Sequence, residues 1–258
     1  NDENTTFVPI WRSKYLFEND NVIELSNASP LYKKVIELAL EVLFLGLDDE
    51  QAVFIVDLSQ LPEDQLLALF MNNENVEQSV VVKDLRVCLP LLPKKSAPIL
   101  AYGKALSYWH INHQYCGFCG HKSTACDGGH MRKCMDESCH RESFPRTDPV
   151  VIMLVEYQPE NGPAKCLLAQ HHSIKSQVVS TLAGFVDPGE SLEEAVVREV
   201  QEEAGIEVGE VTYMASQPWA FPSSVMVGFY AKAKSPVLNI DNDEIVDAHW
   251  FTAEEIST

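Results

Sequence analysis

Basic residues are scarce in this chain. Its 258 residues include 19 Lys and Arg against 38 Asp and Glu, which gives a formal net charge of −19. A surface of this sign repels phosphate groups, so general nucleic-acid binding is excluded. Long apolar runs are lacking too, because the longest, such as 150–155 and 225–231, fall far short of the ~20 residues that cross a bilayer. No membrane partner is expected.

A secretory leader is also missing from the sequence. Residues 1–6 have neither the basic start nor the apolar centre of a signal peptide. The initiator Met is absent as well, so the natural start, with any targeting information, is expected to lie outside the sequence. The seven cysteines are an odd number and suit a disulfide framework poorly. These features predict an intracellular protein in a reducing compartment, either the cytoplasm or an organelle such as the peroxisome.

Composition divides the chain into three predicted domains: 1–113, 114–145 and 146–258. The first has ordinary globular composition, the second is rich in Cys, His and Gly and too small to fold by burial alone, and the third alternates strand-like runs with one clear helix. In the first domain, helical spacing is found at 31–40, 61–71 and 98–113, and a hairpin is predicted from strands 42–45 and 52–56. We predict an α+β protein with an N-terminal α/β domain and without an internal repeat.

Four cysteines of the middle domain have the spacing of a metal site. Cys116 and Cys119 end a tight knuckle, and Cys134 and Cys139 follow after 14 residues. Four thiolates ~2.3 Å from one ion form a closed tetrahedral Zn²⁺ site, which contributes folding energy and leaves no position for substrate. We predict a structural Zn²⁺, with free thiols as the alternative. Rival ligands are Cys126, His121, His130 and His140.

Three glutamates of the third domain suggest a second kind of metal site. Glu199, Glu202 and Glu203 lie at positions i, i+3 and i+4 of the predicted helix 191–204, so their carboxylates share one face. Carboxylates this close repel one another unless a cation lies among them, and Mg²⁺ or Mn²⁺ prefers oxygen ligands. Taken alone, three glutamates are more often a solvated helix face.

The residues around these glutamates are more specific. They match every fixed position of the Nudix box: Gly184, Glu190, Arg198, Glu199, Glu202, Glu203 and Gly205, with Val200 and Ile206 at aliphatic positions. The chain therefore resembles Nudix hydrolases. The resemblance implies a C-terminal Nudix α/β/α sandwich that cleaves a nucleoside diphosphate linked to another moiety by water attack on phosphorus. It makes the three glutamates catalytic ligands of Mg²⁺ or Mn²⁺, and it has Arg198 orient them.

A second motif indicates which family of Nudix hydrolases the chain resembles. Residues 216–224 read Ser-Gln-Pro-Trp-Ala-Phe-Pro-Ser-Ser, and a proline-broken loop of this kind more often only covers a core. At this distance from the box, however, it is similar to the S-Q-P-W-P-F-P-x-S signature of the NADH pyrophosphatase family, with Ala220 in place of a proline. The junction Phe144-Pro-Arg-Thr-Asp-Pro149 and a zinc ribbon before the box extend the resemblance over about 100–258.

This resemblance implies roles for further residues. Phe185 stacks on a flat ring of the substrate, with burial in the core as the alternative. Glu244 adds a metal-site carboxylate, with a solvated turn beside Asp241 and Asp243 as the alternative. The other implied substrate-binding residues are Phe144, Gln217, Trp219, Phe221 and Ser224.

The resemblance also implies the reaction and the partners. The family forms homodimers that hydrolyse NADH, and less well NAD⁺ and related dinucleotides, to nicotinamide mononucleotide and AMP, and some members remove NAD caps from RNA. Two rivals stay open: a Nudix hydrolase of ADP-ribose, and a silent Nudix module that binds a partner through its ribbon, against which the intact Glu199, Glu202 and Glu203 argue. The family continues beyond 254–256 into a Pro-rich loop and a final helix, so this chain is expected to be shortened.

Overall fold

A computed structural model describes residues 5–71, 79–172, 178–240 and 243–256 of the chain. They divide into two units. The first holds residues 1–146 together with 220–223, and the second holds 147–219 together with 224–258. The cysteine-rich segment therefore belongs to the first unit, and the helix with the glutamates belongs to the second.

The first unit is built on a seven-stranded sheet. Its strands are β1 (Thr5–Trp11), β2 (Lys14–Glu18), β3 (Asn21–Val22), β4 (Leu25–Ser26), β5 (Glu41–Asp48), β6 (Gln51–Asp57) and β7 (Val80–Lys83). The order is β3-β2-β1-β6-β5, with β4 paired to β1 and β7 to β2. β5 and β6 form the predicted antiparallel hairpin, and β6 runs parallel to β1 with Phe54 opposite Phe7.

Four α-helices accompany this sheet in the described part of the first unit. They are α1 (Tyr32–Glu37), α2 (Glu63–Met71), α3 (Leu85–Cys88) and α4 (Ser96–Asn112). The predictions of helices near 61–71 and 98–113 are confirmed. The first helix is shorter than predicted, because after Glu37 the chain turns into β5 and the Leu40 N–H donates to the Asp57 carbonyl at 2.7 Å.

The cysteine-rich segment forms a small sheet of its own. Its strands are β8 (Ser123–Cys126), β9 (Met131–Cys134) and β10 (Glu142–Ser143), in the order β10-β9-β8. Arg132 of β9 is buried and ties this sheet to the rest of the unit, since it donates to Glu41 of β5 at 2.6 Å and to Nδ1 of His110 of α4 at 2.7 Å. The His110 ring is therefore neutral, and its Nε2–H donates to the Gly129 carbonyl at 2.7 Å.

The second unit is a six-stranded sheet with the glutamate helix on one face. Its elements are β11 (Asp148–Tyr157), β12 (Lys165–His171), β13 (Leu182–Phe185), α5 (Leu192–Ala204), β14 (Val208–Trp219), β15 (Ser224–Ala233), β16 (Ile245–Thr252) and α6 (Ala253–Ile256). The order is β14-β15-β11-β12-β16, with β13 paired to β11. Val196, Val200 and Ala204 of α5 are fully buried in one core with Val151 and Met153 of β11.

The two units share a connection pattern. In each, a helix (α1 or α5) precedes an antiparallel hairpin (β5–β6 or β14–β15), and the second hairpin strand runs parallel to the first strand of the unit. The predicted α+β class is confirmed, whereas the pattern shared by both halves was not predicted from the sequence. No helix in the described residues is long and apolar enough to cross a membrane.

Candidate active site

The sequence of α5 fixes both of its ends. Ser191 and Glu194 form a capping box: the Glu194 N–H donates to the Ser191 hydroxyl at 3.2 Å, and the Ser191 N–H donates to the Glu194 carboxylate at 2.8 Å. Gly205 ends the helix in the left-handed conformation, at φ 68°. These caps set the register in which Glu199, Glu202 and Glu203 are presented.

Glu203 is the buried member of the three glutamates. Glu203 is only 4% exposed, and neither of its carboxylate oxygens has a hydrogen-bond partner in the described structure. Burial, together with the negative charges of Glu199, Glu244 and Glu202, raises the pKa of Glu203 to about 8. A buried carboxylate without a partner is costly unless a proton or a cation neutralises it.

Arg198 holds the remaining carboxylates in place. Its guanidinium donates to Glu190 at 2.6 and 2.9 Å, to Glu199 at 2.8 Å and to Glu202 at 3.0 Å. Hydrogen bonding to Arg198 lowers the pKa of Glu190. A fifth hydrogen bond, 2.8 Å long, goes to the Phe185 carbonyl and ties the end of β13 to α5. The arginine thus orients carboxylates, as the Nudix resemblance implied.

Gly184 is required by the position of Glu199. A Cβ atom at residue 184 would lie 1.8 Å from the Glu199 carboxyl carbon, far inside van der Waals contact. The absence of a side chain on β13 therefore makes the space that the Glu199 carboxylate fills. Burial raises the pKa of Glu199, and its bond to Arg198 opposes that shift. This contact was not predicted, because it depends on how β13 packs against α5.

The donor set fits a hard divalent cation. All candidate ligands are carboxylate oxygens, the kind that Mg²⁺ and Mn²⁺ prefer, and the two oxygens of Glu203 are buried without a partner. The negative charge of Glu244 raises the pKa of both Glu199 and Glu203, so this predicted ligand lies within electrostatic range of the two glutamates. Glu199, Glu202, Glu203 and Glu244 are therefore the residues that could hold Mg²⁺ or Mn²⁺.

Phe185 stands beside this group at the end of β13. Its residue is 61% exposed, so the alternative of a core role does not hold. An exposed aromatic ring next to a carboxylate cluster is free to stack on a flat ligand ring. Glu244 is also exposed, and its backbone carbonyl accepts a hydrogen bond from the His172 N–H at 3.0 Å. Asp241, from the predicted acidic turn, lies outside the described residues.

The predicted proline-broken loop at 216–224 is mostly strand, and that prediction was wrong. β14 continues through Trp219, with Gln217 opposite Met226 and Trp219 opposite Ser224, so only residues 220–223 form the turn. The strand accommodates Pro218 because β14 lies at the edge of the sheet, where a missing N–H breaks no ladder. Gln217 is exposed and Ser224 is buried.

Two predicted substrate residues belong to the first unit. Phe144 is exposed just after β10. Phe221 packs against the core of the first unit, with the Arg86 guanidinium carbon 4.6 Å and the Lys104 Nζ 5.5 Å from its ring centroid. Their contact with substrate stays a prediction, as it does for Gln217, Trp219 and Ser224.

The four predicted cysteine ligands converge. The sulfur atoms of Cys116, Cys119, Cys134 and Cys139 all lie within 4.8 Å of one another. A tetrahedron of thiolates around Zn²⁺ has sulfur–sulfur separations of about 3.8 Å, and the Cys116–Cys139 and Cys119–Cys134 pairs are 3.9 and 3.4 Å apart. Hydrogen bonds from the Cys119 and Phe118 backbone to its sulfur lower the pKa of Cys116 to about 6, which favours its thiolate, whereas the pKa values of Cys119, Cys134 and Cys139 are raised.

Three of the four rival ligands, Cys126, His121 and His130, have other side-chain contacts. The Cys126 sulfur contacts the Thr124 carbonyl at 3.8 Å. The His130 ring bonds the Phe44 carbonyl at 2.7 Å and the Tyr102 hydroxyl at 3.0 Å. His121 pairs with Asp136 at 3.0 Å, and both lie near Cys119 as a second, smaller group of ligand atoms. Because the four sulfurs converge, the spacing of four residues between Cys134 and Cys139 is compatible with a four-cysteine site.

Comparison with known families assigns a domain to each unit. The NUDIX domain matches residues 147–258, and the NADH pyrophosphatase-like rudimentary NUDIX domain matches residues 4–109. The second match agrees with the connection pattern that the two units share. It also agrees with the absence of the Nudix box from the first unit.

Three relatives are similar over much of the chain. NAD-capped RNA hydrolase NUDT12 of Homo sapiens is 42% identical over 171 residues, covering 64% of this chain and 36% of that protein. Nudix hydrolase 19, chloroplastic, of Arabidopsis thaliana is 46% identical over 163 residues, covering 61% and 36%. NAD-capped RNA hydrolase NudC of Vibrio vulnificus is 37% identical over 190 residues, covering 73% and 69%. The chain thus spans about a third of the first two proteins and about two thirds of the third.

Proposed function

Because the chain belongs to the Nudix hydrolases, and within them to the NADH pyrophosphatase family, we propose that it hydrolyses the diphosphate of NADH. The products are reduced nicotinamide mononucleotide and AMP, and NAD⁺ and related dinucleotides are poorer substrates. The elements of water are added across one bridging P–O bond, so no oxidant, reductant or second substrate is needed.

Glu203 is the observation that carries this proposal. A carboxylate that is buried, without a partner and subject to the negative charge of three other carboxylates is unfavourable on its own and becomes favourable when it binds a cation. Mg²⁺ or Mn²⁺ held by Glu199, Glu202, Glu203 and Glu244 would neutralise the diphosphate and lower the pKa of a bound water. Arg198 keeps Glu199 and Glu202 oriented for this role.

Substrate selection is assigned to groups outside the carboxylate cluster. The exposed ring of Phe185 gives the nicotinamide or adenine ring a flat apolar surface. The residues 216–224, by their resemblance to the family signature, add polar and aromatic contacts. A silent binding module is disfavoured, since such a module has no need of a carboxylate kept buried at a cost.

Product analysis with NADH tests the proposal. The purified chain is incubated with NADH and Mg²⁺ or Mn²⁺, and the products are separated by chromatography beside a Glu203→Gln control, which keeps the shape and removes the charge. We expect AMP and reduced mononucleotide from the parent and a loss of turnover by orders of magnitude in the variant. Hydrolysis of ADP-ribose in preference to NADH would keep the Nudix assignment and refute the proposed substrate.

NAD-capped RNA is the second candidate substrate. It is favoured by the names of the human and Vibrio vulnificus relatives, both NAD-capped RNA hydrolases. The bond cleaved is the same, so a synthetic NAD-capped oligonucleotide assayed beside NADH separates the two by their kcat/KM values. We also propose a structural Zn²⁺ at the four cysteines, which elemental analysis tests. The proposed homodimer is tested by light scattering.

A further inference from the structure

His110 of α4 is a buried histidine that the proposed reaction does not use. It is 1% exposed, and each ring nitrogen has a partner at 2.7 Å: Nε2 bonds the Gly129 carbonyl, and Nδ1 bonds the Arg132 guanidinium. Arg132 lies on β9, and Gly129 lies in the preceding turn, which also carries the exposed Asp127. The ring of His110 therefore joins the cysteine-rich sheet (β8–β10) to a helix of the seven-stranded sheet, within the first unit.

The bond to Arg132 fixes the protonation state of the His110 ring. An arginine side chain has donors only and keeps its proton, so it can bond Nδ1 only while that nitrogen offers a lone pair. The same guanidinium nitrogen donates to Glu41 at 2.6 Å, and the others donate to the hydroxyl and the carbonyl of Ser123 at 2.9 and 2.8 Å. Arg132 is 3% exposed and held on all these sides. A proton on Nδ1 would therefore face a second donor.

The charged groups around His110 disfavour its protonation on balance. Burial lowers the pKa of His110, and the positive charges of Arg132 and His113 lower it further. The carbonyl bonded to Nε2 and the negative charge of Glu41 act in the opposite direction. Asp57 of the neighbouring β6 is buried as well, and its carboxylate accepts a hydrogen bond from a serine hydroxyl of α4 at 2.9 Å. The ring is thus neutral while the cysteine-rich sheet is in place.

The turn at Gly129 lies directly on β5. A Cβ at residue 129, where φ is 97°, would lie 2.6 Å from the Leu43 side chain and 3.4 Å from Nε2 of His110. Glycine is therefore required for the backbone to reach the His110 ring. Leu43 is fully buried, so movement of this turn away from β5 should bring the Leu43 methyl groups into contact with water.

We infer that His110 is an acid-sensitive switch: a proton taken from water onto Nδ1 breaks the bond to Arg132 and releases the cysteine-rich sheet from α4 and β5. Glu41 does not remove the conflict, because it bonds Arg132 and leaves Nδ1–H without an acceptor among the described residues. The released ring has the ordinary histidine pKa of about 6.5, so attachment is complete above that pH. Below it, the ratio of attached to released form should fall by up to about tenfold per pH unit.

His130 offers a matched control in the same segment. Its Nε2 bonds the Phe44 carbonyl at 2.7 Å, and its Nδ1 bonds the Tyr102 hydroxyl at 3.0 Å. His130 therefore also joins the cysteine-rich segment to β5 and α4. A hydroxyl can donate or accept, so the Tyr102 hydroxyl can turn and accept a hydrogen bond from a protonated ring. Protonation of His130 should leave the attachment intact.

Nuclear magnetic resonance of the whole chain tests the switch. The Leu43 methyl signals are followed from pH 7.5 to pH 5 with a soluble nitroxide, which broadens the signals of methyl groups that solvent reaches, and bound zinc is measured at each pH. In the parent we expect these signals to broaden progressively below pH 6.5 while the zinc content stays constant. His110→Gln should stay protected, because its amide can accept from Arg132 and donate to Gly129 without titrating. His130→Gln should respond as the parent does.

Imidazole nitrogen spectra of the parent give a second measurement that needs no variant. The His110 ring should be neutral in the attached form and protonated only in the released form. Broadening of Leu43 at the same pH in the parent and in His110→Gln would overturn the switch, and so would broadening that appears only together with loss of zinc. Protection of Leu43 down to pH 5, or a protonated His110 ring in the attached form, would overturn it as well. Turnover is not measured, so failure of the switch is distinct from failure of the proposed function.

Discussion

Glu203, which we propose to be a metal ligand, has a position that costs the fold stability. Its neighbours on α5 relieve their charge through Arg198, but its own oxygens have no partner in the described structure. Sequence spacing predicts that three glutamates share a face. It does not predict which of them is buried, because that depends on how deeply each position of α5 is covered by the sheet.

The buried carboxyl makes stability depend on pH when divalent cations are absent. Its pKa is raised from an ordinary value of 4.5 to about 8 in the folded chain, so its contribution is neutral below the unfolded pKa and destabilising as the pH rises towards 8. The free energy of unfolding should fall by an amount on the order of 4 kcal/mol over this interval. Urea unfolding at pH 5 and pH 8.5 measures it.

Two variants and one ion serve as controls for this prediction. Glu203→Gln should lose most of the pH dependence, whereas Glu202→Gln, at a more exposed position, should keep it. Mn²⁺ should restore the stability of the parent at pH 8.5 and have little effect on Glu203→Gln. The same pH dependence in the parent and in Glu203→Gln would contradict the assignment.

Phe185 gives a prediction about substrate choice. Phe185→Ala should raise the KM for NADH about tenfold, ~1.4 kcal/mol, and change ADP-ribose hydrolysis less, since the stacking surface is lost while the carboxylates stay. Tyr213→Ala, which removes another exposed ring of the second unit, is the matched control. An equal loss for both substrates would mean that Phe185 contacts the ADP part or is structural.

At the scale of elements, α5 depends on its capping box. Ser191→Ala removes the acceptor of the Glu194 N–H and should lower the free energy of unfolding by ~1 kcal/mol, as losses of N-caps generally do. Ser191→Asp should recover most of that loss, because a carboxylate accepts the same hydrogen bond. Chemical denaturation of the three proteins measures the difference, and an unchanged stability in Ser191→Ala would show that packing alone holds the helix.

We expect the cysteine-rich sheet to depend on metal rather than on burial for its stability. One Zn²⁺ per chain is expected to copurify, and Cys134→Ser should lower both the zinc content and the Tm without acting directly on the chemistry. Cys126→Ser is the matched control, since Cys126 lies in the same small sheet and outside the four converging sulfurs. Active, well-folded protein without zinc would contradict this prediction.

Helices and strands with a clear hydrophobic periodicity or clear turn residues could be predicted from the sequence, and those without such a pattern could not. The amphipathic α5, the β5–β6 hairpin and the helix near 98–113 were predicted because their periodicity or turn residues are clear. β1 was missed: residues 6–11 are buried on both faces and have no alternation to detect. The 216–219 stretch was taken for a loop because of Pro218, although prolines are accepted on an edge strand.

At the scale of the whole molecule, the sequence predicted local motifs and the fold class, but not the strand connections. The box and the cysteine spacing are local patterns: the four predicted cysteine sulfurs lie together in the described structure, and the box glutamates share one helix, α5. The two units are alike in the direction and connection of their strands. Their sequences do not show this likeness, because different residues form the corresponding strands. The burial of Lys104 on α4 was not predicted either, because a lysine on a helix is expected to face water until the packing of that helix is known.

The connection pattern that the two units share has an experimental use. The chain carries two versions of one framework, and only one version contains the box, so the other is an internal reference for measurements on it. Val35, fully buried on α1, and Val200, fully buried on α5, occupy comparable helices before comparable hairpins. Val35→Ala and Val200→Ala each leave a cavity beneath a helix, the first in the unit without the box and the second beneath the helix that carries the box. The two variants can be compared under identical expression, solvent and temperature. Whatever Val200→Ala loses in turnover beyond the loss in Val35→Ala then measures how rigidly the carboxylates must be held for the reaction.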